Sequence, residues 1–242
     1  MAPSTAKTSH GPGRPRDDAL IARRREEILR NAIAHFARDG FSDADLDAVA
    51  ADVGCAKGTL YRYFSSKAEL FQQSVDLIMR DLLKATCATT SDDPLDQLEF
   101  AIRSYLAYFD AHPEYVELLI QERAAFRDRK KPTYFVHRDA NIERWTQCHL
   151  TLMEQGRMRR MPVERVHAVI GDLLYGTIFT NYFTGRGKPL GRQVQDVLDV
   201  LFNGLLTPRE VQRRSNSPVA PDRPDTEYLS AHHQPPAEPS AH

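Results

Sequence analysis

Residues 45–64, "DLDAVAADVGCAKGTLYRYF", hold two apolar-periodic segments of about two turns each, separated by Gly54. Helices this short are marginal alone, because nucleation is unfavourable and isolated helices below roughly 12–15 residues hold poorly in water. They must pack on each other and on a longer neighbour. Leu46, Val49 and Ala50 share a face of the first, with Val53 at its end. Leu60 and Phe64 anchor the second, which spans 57–63, and Gly54 permits a tight turn between them. Two short helices joined in this way, behind a long one, make a helix-turn-helix arrangement.

The rest of the body reads as helical too. From Asp17 to Asp39, Ile21, Ile28, Leu29, Ala32, Ile33 and Phe36 recur at three- and four-residue spacing, and Gly40 stands where a C′ glycine ends a helix. A long segment runs from near Lys67 toward 88. Asp93-Pro94 is a helix start, an N-cap followed by proline at N1, and Pro113 can play the same role after His112. Further periodic segments cover 133–156, 163–184 and 191–206. No alternating run flanks an Asn-Gly or Asp-Gly pair, so hairpins are not expected. The predicted fold is all-α, with about nine helices. Residues 1–16 are rich in Pro, Gly, Ser and Thr, carry only basic charge, and read as a disordered arm. Residues 207–242 hold seven of the fifteen prolines and read as a disordered tail, its histidine pair solvated rather than metal-binding.

The net charge is -1, so any contact with nucleic acid has to come from local charge. Residues 54–67, "GCAKGTLYRYFSSK", supply it: Lys57, Arg62 and Lys67 stand among two tyrosines with no acidic residue. On a helical wheel Gly58, Thr59, Arg62 and Tyr63 point away from Leu60 and Phe64. A helix in a major groove needs such a face. Gly58 lets backbone approach, Arg62 can donate two hydrogen bonds to guanine, and hydroxyls and Lys67 can bind phosphates.

Other function classes find less support. No nucleophile elbow, P-loop, HExxH or dinucleotide fingerprint is present. Cys148 and His149 are adjacent, so on a helix they point about 100° apart and make a poor dyad. No catalytic residue, metal or cofactor is expected, and the chain does not read as an enzyme. Cys55, Cys87 and Cys148 are odd in number and widely spaced, neither a disulfide framework nor a zinc pair, which fits a reducing, cytoplasmic compartment. The N-terminus has no apolar leader region. The most apolar stretch, 163–183, is interrupted by Glu164, Arg165, His167, Asp172 and Asn181, so no membrane partner is expected.

Residues 22–82 resemble the DNA-binding domain of the TetR/AcrR family of transcriptional regulators. The carrying motifs are "REEILRNAIAHFARDGF" and "VGCAKGTLYRYFSSKAELF". The resemblance implies a DNA-binding domain over 17–82, with its helix-turn-helix at 45–64, and a helical ligand-binding and dimerisation domain over 83–206. It implies that Lys57, Gly58, Tyr61 and Arg62 face bases, and that Thr59, Tyr63 and Lys67 contact phosphates. The implied function is a ligand-responsive repressor, acting as a homodimer on a palindromic operator in double-stranded DNA and answering to a small-molecule effector. Two alternatives are an activator of the same fold and a redox-responsive regulator sensing through Cys55.

The chain departs from the family pattern in two places. Ala44-Asp45 replaces a frequent Thr pair, and with Asp39, Asp43, Asp47 and Asp52 it makes this element acidic, where Asp repels a phosphate that Thr would bind. Asp45 can still cap the helix that follows. Ala56 replaces a Ser or Thr before the recognition helix and removes its cap. The arm can compensate: residues 1–38 carry eight Lys or Arg against four Asp or Glu. Arg14 and Arg16 of "GPGRPR" are candidates for insertion into a narrow minor groove.

One helix-turn-helix reads only a few base pairs, so a dimer is expected on two half-sites. Segment 163–184 is apolar on more than one face, as a helix buried against more than its own domain would be. The expected interface pairs its Val166, Ile170, Leu173, Leu174 and Ile178 with Val194, Leu198, Leu201 and Phe202, two helices from each subunit. Aromatic residues are frequent between 90 and 160. Trp145 and His149, one turn apart, are the candidate ligand-pocket pair.

Overall fold

The computed structural model describes residues 18–185 and 189–204, and these residues hold ten helices and no strand. The first four are α1 (Asp18–Asp43), α2 (Leu46–Asp52), α3 (Lys57–Tyr63) and α4 (Lys67–Thr86); the others are α5 (Pro94–Ala111), α6 (Glu114–Ala125), α7 (Thr133–Ala140), α8 (Ile142–Glu154), α9 (Val163–Thr184) and α10 (Leu190–Asn203). The periodic stretch 133–156 is two helices, parted at Asn141. Arg14 and Arg16, the basic arm and the Pro-rich tail lie outside the described residues.

Two glycines shape the N-terminal part. Gly40 has φ 82° and ψ 161°, non-helical values inside α1, so the chain turns where the sequence places the stop. Gly54, at φ 71°, closes α2. Its N–H donates to Ala51 O at 2.9 Å and that of Cys55 to Ala50 O at 2.8 Å, the paired bonds of a Schellman motif. The left-handed conformation is cheap only for glycine. Asp45 caps α2 by accepting from Asp47 N at 2.8 Å. Ser66 caps α4 by accepting from Glu69 N, while the Glu69 carboxylate accepts from Ser65 N and Oγ.

One hydrophobic core runs from Ile28 to Leu198. Ile28, Leu29, Ala32, Ile33 and Phe36 of α1 meet Leu46, Val49, Ala50 and Leu60 of the two short helices and Leu70, Phe71 and Val75 of α4. Helix α4 also packs on α5, α6 and α7, and α6 returns to α1. The rings of Phe36, Phe41, Phe71 and Phe126 cluster at that junction, with centroids 5.0–6.3 Å apart. There Gln121 of α6 donates to the Phe36 carbonyl at 3.0 Å. The expected division near residue 82 falls within α4, which continues through it. The compact unit ends at Leu201.

A buried carboxylate fixes the turn from α6 to α7. Glu122 is 1% exposed and accepts from Thr133 N at 3.1 Å, from Thr133 Oγ1 at 2.6 Å and from Arg129. A buried charge needs such partners.

Candidate nucleic-acid interface and internal cavity

The last two arginines of α1's Arg23–Arg25 run hold the helix-turn-helix in place. Arg24 Nη2 donates to the carbonyl of Val53, the C-cap of α2, at 2.9 Å. Arg25 Nη1 donates to the carbonyl of Tyr63, the last residue of α3, at 2.8 Å, and its guanidinium lies 4.5 Å from the centroid of Phe64. Both cations meet the negative ends of helix dipoles, where orphan carbonyls need donors. Sequence reasoning missed both residues; the signal was a run of three arginines on the helix ahead of the two short ones whose carbonyls they bind.

Helix α3 leaves Lys57, Gly58, Tyr61 and Arg62 exposed, with Tyr61 47% exposed, while Leu60 and Phe64 are buried. Nothing lies within 4 Å of a Cβ built on Gly58, so the backbone there is open. Arg62 Nη2 donates to Thr59 Oγ1 at 3.3 Å, which keeps the guanidinium on the outer face. Ala56 gives α3 no side-chain cap.

Three of the expected DNA-contacting residues are already engaged within the chain. Tyr63 is half-buried and packs on the core, because α3 lies close enough to its neighbours to cover that edge. Lys57 is ion-paired with Asp47 at 2.7 Å, and that hydrogen bond holds its amine above the ordinary range. Lys67 is half-buried. Its amine donates to Ser42 O at 2.8 Å and lies 5.7 Å from the Phe41 centroid, so it ties the start of α4 to the end of α1.

The acidic element is partly neutralised by its own neighbours. Asp47 takes Lys57, Asp39 takes Arg38 at 2.7 Å, and Asp52 takes the buried His35 Nε2 at 2.7 Å. Asp45 is spent on its cap.

A cavity of about 550 Å³ lies between α4, α5, α7, α8 and α9. Met79, Leu82, Leu83 and Thr86 of α4 line it, as do Trp145 and His149. The Tyr105 and Tyr134 hydroxyls, buried in its wall, are 3.0 Å apart, and burial first of all raises the pKa of both phenols, that of Tyr134 to about 12. Neither tyrosine nor His167 of α9, which also lines the cavity, was singled out as a pocket residue; nothing in spacing distinguishes them from ordinary core.

The expected dimer contacts divide by burial. Val166, Ile178, Val194 and Leu198 belong to the chain's own core, since α9 and α10 turn these side chains inward. Leu173, Leu174 and Leu201 are half-buried against that core, and Ile170 lines the cavity. Phe202 is exposed. The apolar residues that α9 turns outward are others: Val169 at 56% exposure, Tyr182, and Phe183 at 66%. Val169, Gly176 and Phe183 fall at seven-residue spacing on one stripe.

Among the described residues, no group of three or more His, Cys, Asp or Glu is placed to hold a metal ion, and no helix is long and apolar enough to cross a membrane. Cys55 is half-buried against the core.

A short exposed basic helix, set by a Schellman turn and clamped from behind by two arginines, defines a helix-turn-helix DNA-binding protein. Residues 28–73 match the family described as bacterial regulatory proteins, tetR family. The chain is 34% identical over 105 residues to the HTH-type transcriptional repressor SCO4008 of Streptomyces coelicolor, a match covering 43% of this chain and about half (52%) of that one. It is 26% identical over 191 residues to the HTH-type transcriptional repressor KstR2 of Mycobacterium tuberculosis, covering 75% of this chain and 92% of that one. Among solved structures it resembles the transcriptional regulator FadR of Bacillus subtilis in complex with stearoyl-CoA, with a TM-score of 0.65 and 14% identity over 75% of this chain and 99% of that one. Residues 28–73 thus carry a DNA-binding domain of the tetR family, and the chain is a DNA-binding transcriptional regulator.

Proposed function

We propose that the chain is a ligand-responsive repressor that binds a palindromic operator as a homodimer in the cytoplasm, and that it is not an enzyme. The observation that carries this reading is the sharing of one helix between two sites. Leu70 and Phe71 of α4 pack with the helix-turn-helix core, and Met79, Leu82, Leu83 and Thr86 of the same helix wall the cavity. A ligand that prefers one tilt of α4 would bias the placement of α3, and only such differential affinity can shift the equilibrium. Its volume falls in the usual range for small-molecule sites, roughly 300–1,000 Å³. The stearoyl-CoA held by the B. subtilis relative and the repressor names of the curated relatives support the reading.

On this proposal Lys57, Gly58, Tyr61 and Arg62 meet bases, and Thr59, Tyr63 and Lys67 lie along the phosphates. The dimer forms on the outward stripe of α9, Val169 and Phe183, with Gly176 allowing close approach. Sensing through Cys55 is the weaker reading, because that thiol is half-buried against the core. Protection of DNA flanking the chain's own gene, measured at about 150 mM salt against random DNA, tests the function, since selectivity there has to exceed the salt-sensitive non-specific binding. Equal affinity for both would overturn it. Sedimentation of the wild type and of Phe183→Glu tests the dimer: a dimer that the substitution dissociates is expected, and a wild-type monomer at micromolar concentration would overturn it.

A further inference from the structure

His149 on α8 and His167 on α9 line the same cavity, with ring centroids 5.1 Å apart. His149 is 2% exposed, and neither of its ring nitrogens has a hydrogen-bond partner among the described residues; the buried His167 Nε2 has none either. Leaving such atoms buried and unpaired is destabilising, so they mark what the cavity is built to receive. Several other polar groups around the cavity have partners of their own. The Tyr105 and Tyr134 hydroxyls bond each other, His137 Nε2 lies 2.7 Å from Asp76, and Arg138 contacts Asp139 at 3.2 Å while covering the Phe135 ring. Glu164 and Asp172 add negative charge to the lining, and the α4 and α5 walls are mainly aliphatic.

Burial pushes His149 down to about 4. Its ring is therefore neutral near pH 7, with one N–H to give and one lone pair to receive.

We propose that His149 and His167 form the polar subsite of the cavity and select an uncharged, largely apolar ligand that carries a hydroxyl; this rests on the effector reading above. A hydroxyl both donates to the bare imidazole nitrogen and accepts from the N–H. An ether only accepts. A carboxylate only accepts, so it leaves the bare imidazole nitrogen without a donor, and it faces Glu164 and Asp172. An ammonium only donates and leaves an N–H unpaired.

Trp145 is the sole tryptophan and lines the cavity, so its emission reports binding directly. The probes are 1-decanol, decyl methyl ether, decanoate and decylammonium, matched in chain and different in head. Decanol is expected to bind about tenfold tighter than the other three, as one or two net hydrogen bonds would give. His149→Phe should bind decanol and the ether equally, while His149→Gln, which keeps a donor and an acceptor, should retain part of the preference. Equal binding of all four by the wild type, tightest binding of either ion, or a preference that survives His149→Phe overturns the inference and leaves the effector reading standing. No change in Trp145 emission with any probe at its solubility limit would instead overturn the cavity as an effector site, and the subsite with it.

Discussion

Arg25 Nη1 donates to the main-chain carbonyl of Tyr63 at 2.8 Å, across 38 residues of chain, and the same guanidinium covers Phe64. One side chain thus closes the C-terminal end of the DNA-reading helix and fixes the ring that roots it. Arg25→Ala should lower stability by about 1–2 kcal/mol, the scale of a charge-assisted bond to a partly exposed carbonyl. It should also weaken operator binding, although Arg25 contacts no part of the exposed α3 face. Denaturant unfolding and DNA titration check the pair of effects; unchanged stability would mean the clamp is not formed in solution.

Arg62→Ala should flatten sequence preference, because a bidentate arginine–guanine contact is worth roughly 1–3 kcal/mol of discrimination. Lys67→Ala should weaken binding to all sequences alike and also cost stability, since that amine ties Ser42 to α4. Competition titrations against point-altered operators distinguish them. An Arg62→Ala protein with intact preference would show that α3 docks in another register.

Asp47→Asn should strengthen DNA binding severalfold at low salt. It removes a negative charge beside the groove-facing helix and releases Lys57 from its ion pair. The gain should shrink as salt rises, because phosphate contacts are salt-dependent. A loss of affinity would show that the pair positions Lys57 instead of occupying it.

Ala56→Ser should raise stability by about 1 kcal/mol by giving α3 the cap it lacks, with a modest gain in DNA affinity. Thermal unfolding reads the first effect. No gain would mean that the short helix already holds its N-terminal geometry through Thr59 N to Ala56 O, a 2.7 Å bond.

His149 should make stability pH-dependent on the acid side. Its folded value, about 4, lies below the ordinary 6.5, so between these limits the unfolded chain binds more protons and acid favours unfolding. Stability should fall as pH drops from about 6.5 to 4, with this residue adding at most about 1.4 kcal/mol per pH unit. Above 6.5 its contribution is complete and level. Unfolding of His149→Phe across the same window should lack that part of the slope, and its unfolding temperature at pH 7 should be higher, because two unpaired buried nitrogens are gone. Parallel slopes for both proteins would show that His149 is not buried in solution.

The elements near the DNA-binding face were legible because short-range rules govern them. Gly54 and Gly40 mark turns that only a positive φ can make, Asp45 and Asp93 cap as their spacing requires, and Leu60 and Phe64 anchor by period alone. What stayed hidden depends on distant parts of the chain. Arg25 and Tyr63 meet only after folding, as do Lys57 and Asp47. Periodicity identified α9 as broadly apolar but could not say which apolar side chains α9 keeps for its own core: Ile178 turned inward and Phe183 outward. Trp145 and His149 were paired by their one-turn spacing, whereas His167 reaches the same cavity from another helix.

The span of α4 bears on how such a chain can be altered. At 1.5 Å per residue its twenty residues extend about 30 Å. Leu70 and Phe71 occupy one end, and Leu82, Leu83 and Thr86 the other. On the proposed function, substitutions at the far end would exchange one inducing compound for another while the operator stays the same. A collection of variants randomised at 82, 83 and 86 is thus a route to new chemical triggers for an unchanged genetic output.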